Sequence, residues 1–358
     1  MTTSARGSSL DESYGDDGAK KPSLGNYLPV RDDWLALHTE PIIDAALPII
    51  DAHHHFYDRP GWTYLTDEYR ADATSGHNIR ASVYMQAQTR YRPQGPEALK
   101  PVGETEYVVS ATASDAACTP QVAKGIVGHA DLRLGADVRS VLEAHVLAGH
   151  GRFKGMRHLT SWDADASLLN PVSAGPRGLL LDSSYREGVA QLAPLGLSYD
   201  AWLFFPQLPE LIDLAKAFAG TTIVLNHCGG VVRIASYEGH RPEVFEAWRK
   251  SMRELARLPN VHVKLGGLGM RINGFDFEKR EVPPDSTCLA QNWKPWMETC
   301  IEAFGPDRCM FESNFPVDKG SYSYATGWNA FKRLTSGATA AERQALFEGT
   351  ASRVYRLG

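Results

Sequence analysis

LPIIDAHHHF, residues Leu47–Phe56, is an apolar, β-branched run that ends in three consecutive histidines. A short run of this kind reads as a buried strand whose C-terminal end turns polar. Side chains alternate along a strand, so the spacing predicts that Asp51, His53 and His55 share one face while His54 points the other way. Outward from this stretch, similar runs recur at Ala81–Gln86, Gly125–His129, Phe153–Met156, Leu197–Phe204, Thr221–Leu225, Val261–Leu265 and Cys309–Glu312. Between most of them lie segments with helical spacing. Val138–Leu147 aligns Val138, Val141, Leu142 and His145, and Leu208–Phe218 has apolar positions at 208, 211, 212, 215 and 218. Tyr185–Leu195, Val244–Leu258, Trp293–Phe304, Thr339–Phe347 (with Thr339 as N-cap) and Ala351–Leu357 continue the series. Eight strand candidates alternating with helices predict a parallel sheet, and eight is the number that closes a (β/α)8 TIM barrel. No GxGxxG follows the first strand, which disfavours an open dinucleotide-binding sheet.

The chain has 358 residues, 37 Lys+Arg against 42 Asp+Glu, and a formal net charge of −5. With 43% hydrophobic and 22% charged residues, it has the makings of one large buried core. The mildly acidic balance and the lack of a basic block give no field for nucleic acid. No apolar run approaches the roughly 20 residues of a membrane span, and MTTSARGSSLDESYGDD lacks the apolar centre of a secretory signal. Five cysteines without a CxxC argue against a disulfide framework or a thiolate zinc site and suit a reducing cytoplasm. Residues 1–28 read as a flexible polar tail, a short N-terminal extension to a single domain over 29–358. The segment 269–292 reads as a long loop, either an active-site lid or an inert insertion. Oligomeric state is left open.

In a TIM barrel, functional residues sit at the C-terminal ends of strands. His53 and His55 would there form a ready-made pair of imidazole ligands, the alternative being a surface loop. Further polar strand ends are Arg157-His158, Asp200 beside Trp202, Asn226-His227 before Gly229-Gly230, and Glu312-Ser313-Asn314. His129, alone in an apolar strand, reads better as a satisfied core residue. Tyr57, Trp62, Trp162, Trp202, Trp293 and Phe315 offer aromatic surface for a cyclic substrate, or merely barrel-rim packing.

Six motifs carry a family resemblance: DAHHHF, KGMRH, SYDAW with the following Pro-Gln-Leu-Pro, VLNHCGG, VHVKLGGL and FESNFP. In this order they resemble the amidohydrolase-related family, in its branch of 2-pyrone-4,6-dicarboxylate and sugar-lactone lactonases, over about Pro48–Leu357. The resemblance implies a hydrolase that opens a carboxylated lactone. His53, His55 and His227 would hold one divalent metal, zinc or manganese, or act without metal. Arg157, with His158, Trp202 and Asn314, would bind the substrate. The family's strand-eight Asp falls on Asn314, and an amide cannot be a general base. Glu312, two residues earlier on the same face, is one replacement, unless it is buried and paired with Lys264; Asp200 or Asp318 is another. Two alternatives follow: a metal-dependent decarboxylase of a carboxylated aromatic or unsaturated acid, and an inactive barrel used for binding.

Overall fold

The computed structural model describes residues 27–170 and 174–358. Except for Tyr27 and Leu28, the expected tail lies outside the described residues. The eight strands form in the predicted order: β1 Pro48–His54, β2 Asn78–Met85, β3 Gln121–Gly128, β4 Phe153–Met156, β5 Ser198–Ala201, β6 Ile223–Leu225, β7 Val261–Leu265 and β8 Cys309–Phe311. Each pairs parallel with the next. The ring closes just beyond β8, where Asn314 N–H donates to the His53 carbonyl at 2.9 Å and His55 N–H to the Phe315 carbonyl at 2.8 Å. The chain is therefore a TIM barrel.

Helices Thr66–Ala73, Val102–Ala111, Val138–Ala148, Ser183–Val189, Leu208–Ala217, Arg241–Leu255, Ser286–Phe304 and Tyr324–Leu334 follow the eight strands in turn. The first, second and last are absent from the periodicity reading. The seventh starts at Ser286 rather than Trp293, because the Asp285 carboxylate caps it by accepting from Cys288 N–H at 2.7 Å. The expected loop 269–292 is correspondingly shorter. Tyr185–Leu195 is helical only to Val189, followed by a 3-10 turn at Ala193–Leu195.

Outward-facing strand residues pack under the helices in a large core. Ile50, Ala52, Ala81, Val83, Met85, Val127, Val224 and Met310 fill the barrel interior. Ala351, Val354, Tyr355 and Leu357 of the C-terminal segment join this inner cluster and close the barrel's N-terminal end. Burying such side chains contributes about 1.5–3 kcal/mol each. No helix among the described residues is long and apolar enough to cross a membrane.

One expectation about β1 fails. Asp51 pairs with Ser82 but His54 with Tyr84, so β1 spends one extra residue there. That bulge flips the alternation. Asp51 faces outward with His54, accepting from Tyr69, Tyr324 and Ser313 hydroxyls at 3.0, 3.1 and 2.7 Å, while His53 and His55 still face inward.

Candidate active site

The site rises in layers from the apolar interior. Lowest is an ion pair between Lys264 Nζ on β7 and Asp200 Oδ2 on β5, 2.9 Å apart and fully buried. Asp200 Oδ2 also accepts from Tyr355 Oη at 2.7 Å and Asn226 Nδ2 at 3.3 Å, so the C-terminal plug braces the floor. Lys264 thus pairs with Asp200, and the expected pair with Glu312 is not what forms.

Glu312 sits above, between two histidines. Its Oε1 accepts from His227 twice, from ring Nδ1 at 2.7 Å and backbone N–H at 3.1 Å. Its Oε2 lies 3.0 Å from His53 Nδ1 but off the ring's N–H direction, and has no aligned donor. His227 reaches this position through an unusual turn: His227, Cys228 and Gly229 take φ of +55°, +50° and +77°. The first two conformations carry strain for residues with a Cβ. Opposite, Gly267 leaves the room required, since a Cβ there would meet His227 Cγ at 2.4 Å. Burial pushes the Glu312 carboxyl up to about 8 against the opposing pull of Lys264.

Burial also drives His53, His55 and His227 well below the usual imidazole range, so all three are neutral. Their hydrogen bonds fix the protons. His55 Nδ1–H faces the Met85 carbonyl at 2.9 Å, which leaves its lone pair on Nε2. That lone pair meets His53 Nε2 at 3.0 Å, while Lys264 Nζ donates to His53 Nδ1 at 3.4 Å. The two Nε2 atoms therefore share one proton. His227, with Nδ1–H committed to Glu312, keeps its lone pair on Nε2.

Arg157 ends β4 with its guanidinium buried inside the barrel. NH2 donates to the Gln86 carbonyl at 2.8 Å, NH1 lies 3.3 Å from His53 Nε2, and Nε has no hydrogen-bond partner among the described residues. Asn314 takes a φ of +55°, which asparagine tolerates better than most residues. Its Nδ2 donates to Asp318 Oδ1 at 2.8 Å. Burial raises the Asp318 carboxyl to about 7, against hydrogen bonds from Tyr322 and Gly269 N–H.

Above these groups opens a cavity of about 760 Å³, part of it continuous with solvent. His55, Arg157, His227, Trp202 and Asn314 line it, as the sequence predicted, and so does Tyr57. Arginines 59, 157 and 271 line it too, with no carboxylate in its wall among the described residues. His53 and Glu312 lie directly beneath.

Several predicted residues lie elsewhere. Asp200 is in the floor, saturated by its partners. His158 points outward, its ring 5.3 Å from Tyr185 and Nδ1 accepting from Leu132 N–H at 3.3 Å. Strand alternation explains this: with Arg157 inside, His158 must face out. His129 accordingly packs against His158 outside the cavity. Trp62, Trp162, Trp293 and Phe315 do not line the wall. Missed altogether were Gln86, the polar residue ending β2, and Arg59, on the hairpin formed by Tyr57–Arg59 and Trp62–Tyr64. Pro60-Gly61 between alternating aromatics is the turn signal for that hairpin.

The residues present fit a divalent ion. Two neutral imidazole Nε2 atoms converge on one point, and ligand atoms of His53, His227 and Glu312 lie within 4.8 Å of one another. The ion would displace the proton shared by His53 and His55, with Arg157 beside it as a competing cation.

The amidohydrolase family profile matches residues 50–357. An uncharacterized protein of Sinorhizobium fredii is 36% identical over 299 residues, covering 82% of this chain and 86% of its own. The L-fucono-1,5-lactonase of Burkholderia multivorans is 29% identical over 323 residues, covering 86% and 96%. Among solved structures, a Burkholderia multivorans amidohydrolase with bound zinc superimposes with a TM-score of 0.67 at 25% identity, covering 87% of this chain and 99% of that one.

Proposed function

The chain belongs to the amidohydrolase family, and on that premise we propose that it opens a carboxylated lactone by water attack at the barrel mouth. The observation that carries this reading is the double grip of Glu312 on His227, which holds the ring as a base with Nε2 free. The lactonase relative supports the reaction class, and three arginines in a cavity wall without carboxylates support an anionic substrate.

His227 Nε2 takes a proton from water as its oxygen bonds to the lactone carbonyl carbon. Once ionised, the buried Glu312 carboxylate is best compensated when His227 becomes imidazolium, so the pair favours the transition state over the resting site. Arg157 faces the developing oxyanion with N–H donors in a dry setting. Collapse breaks the ring C–O bond, and His227 returns the proton to the leaving oxygen. The product is a hydroxy acid that ionises and releases one proton. A divalent ion held by His53 and His55, beside the His227–Glu312 pair, would add Lewis-acid polarisation of the carbonyl and leave His227 Nε2 free as the base. Asn314, unable to transfer the proton, binds substrate beside the cavity wall.

A pH-indicator assay over a panel of lactones tests this, including L-fucono-1,5-lactone and carboxylated analogues. Saturable turnover by the parent that His227→Ala abolishes is expected. No turnover of any lactone, with carbon dioxide released from a carboxylated aromatic acid, would assign the barrel to decarboxylation.

A further inference from the structure

The family match begins at residue 50, yet two residues before it help to build the cavity. Tyr27 and Leu28 line it directly. The Tyr27 ring centre stands 5.3 Å from Trp62 and 6.0 Å from Tyr57, with the Arg59 guanidinium 5.7 Å from Tyr27 and 4.3 Å over Tyr57. Leu28 seats on Gly320, where even a Cβ would meet Leu28 Cβ at 2.5 Å. Only glycine admits so close an approach.

The segment that follows is fastened along its length. Arg31 NH2 donates to the Glu278 carbonyl at 2.6 Å and Trp34 Nε1 to the Arg280 carbonyl at 3.0 Å, both on the loop after β7. Glu40 accepts from Ser286 N–H at 3.3 Å and from Asn329 at 2.8 Å, and Lys332 donates to the carbonyls of Ile43 and Asp44. Trp34 and Leu35 are buried. The same loop supplies Met270, Arg271 and Ile272 to the cavity wall. One strap thus closes one side of the mouth with its own side chains and holds the loop on the other.

We propose that this N-terminal strap is part of the substrate site, with Tyr27 and Leu28 as specificity-determining residues that limit the cavity to compact, monocyclic lactones. The inference rests on the lactonase reading for its substrate class. It says that selectivity here is set partly by residues outside the family's matched region. Neither residue touches the His227–Glu312 pair, so their loss should act on binding and on substrate range rather than on the chemical step.

The test compares the full chain with Tyr27→Ala and with Tyr27→Ala/Leu28→Ala. Both variants should melt within a few degrees of the parent, since the strap stays anchored from Arg31 onward. For the best lactone substrate, KM should rise at least fivefold with kcat within twofold, and lactones with bulky ring substituents should gain turnover. Unchanged KM and substrate range in folded variants would overturn the proposal. A second readout needs no substrate: carbethoxylation of His227 by diethyl pyrocarbonate, mapped by peptide mass spectrometry. It should proceed at least threefold faster in the double variant, and an equal rate would refute closure by the strap. If the parent opens no lactone, the substrate reading fails, and this labelling alone decides whether the strap closes the site.

Discussion

Above about pH 8, where Glu312 is ionised, replacing it by Gln removes one charge and almost no volume from the centre of the site. The amide oxygen can still accept from His227 Nδ1 and N–H, which now lie 2.7 and 3.1 Å from Oε1. The amide nitrogen would take the place of Oε2, 3.0 Å from His53 Nδ1 and off the ring's N–H direction, with the Lys264 bond to Nδ1 untouched. Geometry and tautomer therefore survive, and only the stabilisation of the imidazolium is lost. A unit charge about 4 Å from the ring's centre of charge, at an effective dielectric near 20, is worth about 4 kcal/mol. That corresponds to a drop of about three orders of magnitude in kcat. Stability should move little or upward, because burial already disfavours the charged carboxylate and lifts its pKa to about 8. Indicator-coupled kinetics and thermal melts on one preparation separate the two roles. A variant with kcat within threefold of the parent would refute the base assignment. Unchanged kcat together with a large fall in melting temperature would show that Glu312 only holds the fold.

Arg157→Ala should lower kcat/KM by at least about a hundredfold, the scale of losing an oxyanion donor, and leave the melting temperature nearly unchanged; a collapse in stability would make Arg157 a core residue. Lys264→Met leaves Asp200 buried without its cation and should cost about 3–5 kcal/mol in chemical denaturation. A stable Lys264→Met variant would show that the floor pair does not bind the layers together. Zinc added to chelator-treated protein should bind one-to-one, raise the melting temperature and displace a proton; His55→Ala should abolish the shift, and a shift that survives would place the ion elsewhere. Burial lowers the pKa of His54 to about 3 and of His77 and His145 to about 4, so the folded state takes up fewer protons than the unfolded chain below about pH 6.5. Their stabilisation is complete above that pH and lost on acidification. The raised carboxyls of Asp51, at about 6, and Glu104 and Asp318, at about 7, act oppositely, losing stability as pH rises from about 4 toward 7. Burial also lowers His53, His55, His129, His158, His227 and His262 and raises Asp72, Glu210 and Glu312, so nine histidines oppose six carboxyls, and melts should show a maximum near pH 7 and a decline toward pH 5; a maximum at pH 5 would contradict this.

The barrel was legible because each strand is a compact apolar run with a polar end. Phe153–Met156 and Val261–Leu265 form with the bounds read from the sequence. The inward His53 and His55 were legible for the same reason, as were Arg157, Trp202 and His227 at their strand ends. What escaped depends on features that local pattern does not encode. The bulge in β1 turns Asp51 outward although period two places it with His53. Lys264 had two inward carboxylates within reach of its strand, and only the packing of β5 beside the C-terminal plug selects Asp200. His158 faces outward by the same alternation that turns His54 away from the site, beside an inward Arg157. That the segment from Tyr27 to Pro48 packs across the body was legible ahead of the first strand; that Tyr27 and Leu28 reach the cavity was not, because they adjoin a polar stretch and their contacts lie far away along the chain.

The central claim is hydrolysis of a lactone by the His227–Glu312 pair, and steady-state proton release from a lactone panel tests it most directly. The parent should show saturable turnover well above spontaneous ring opening, with His227→Ala folded but inactive. A folded parent that opens no lactone faster than buffer, or a His227→Ala variant that keeps the parent's rate, would contradict it.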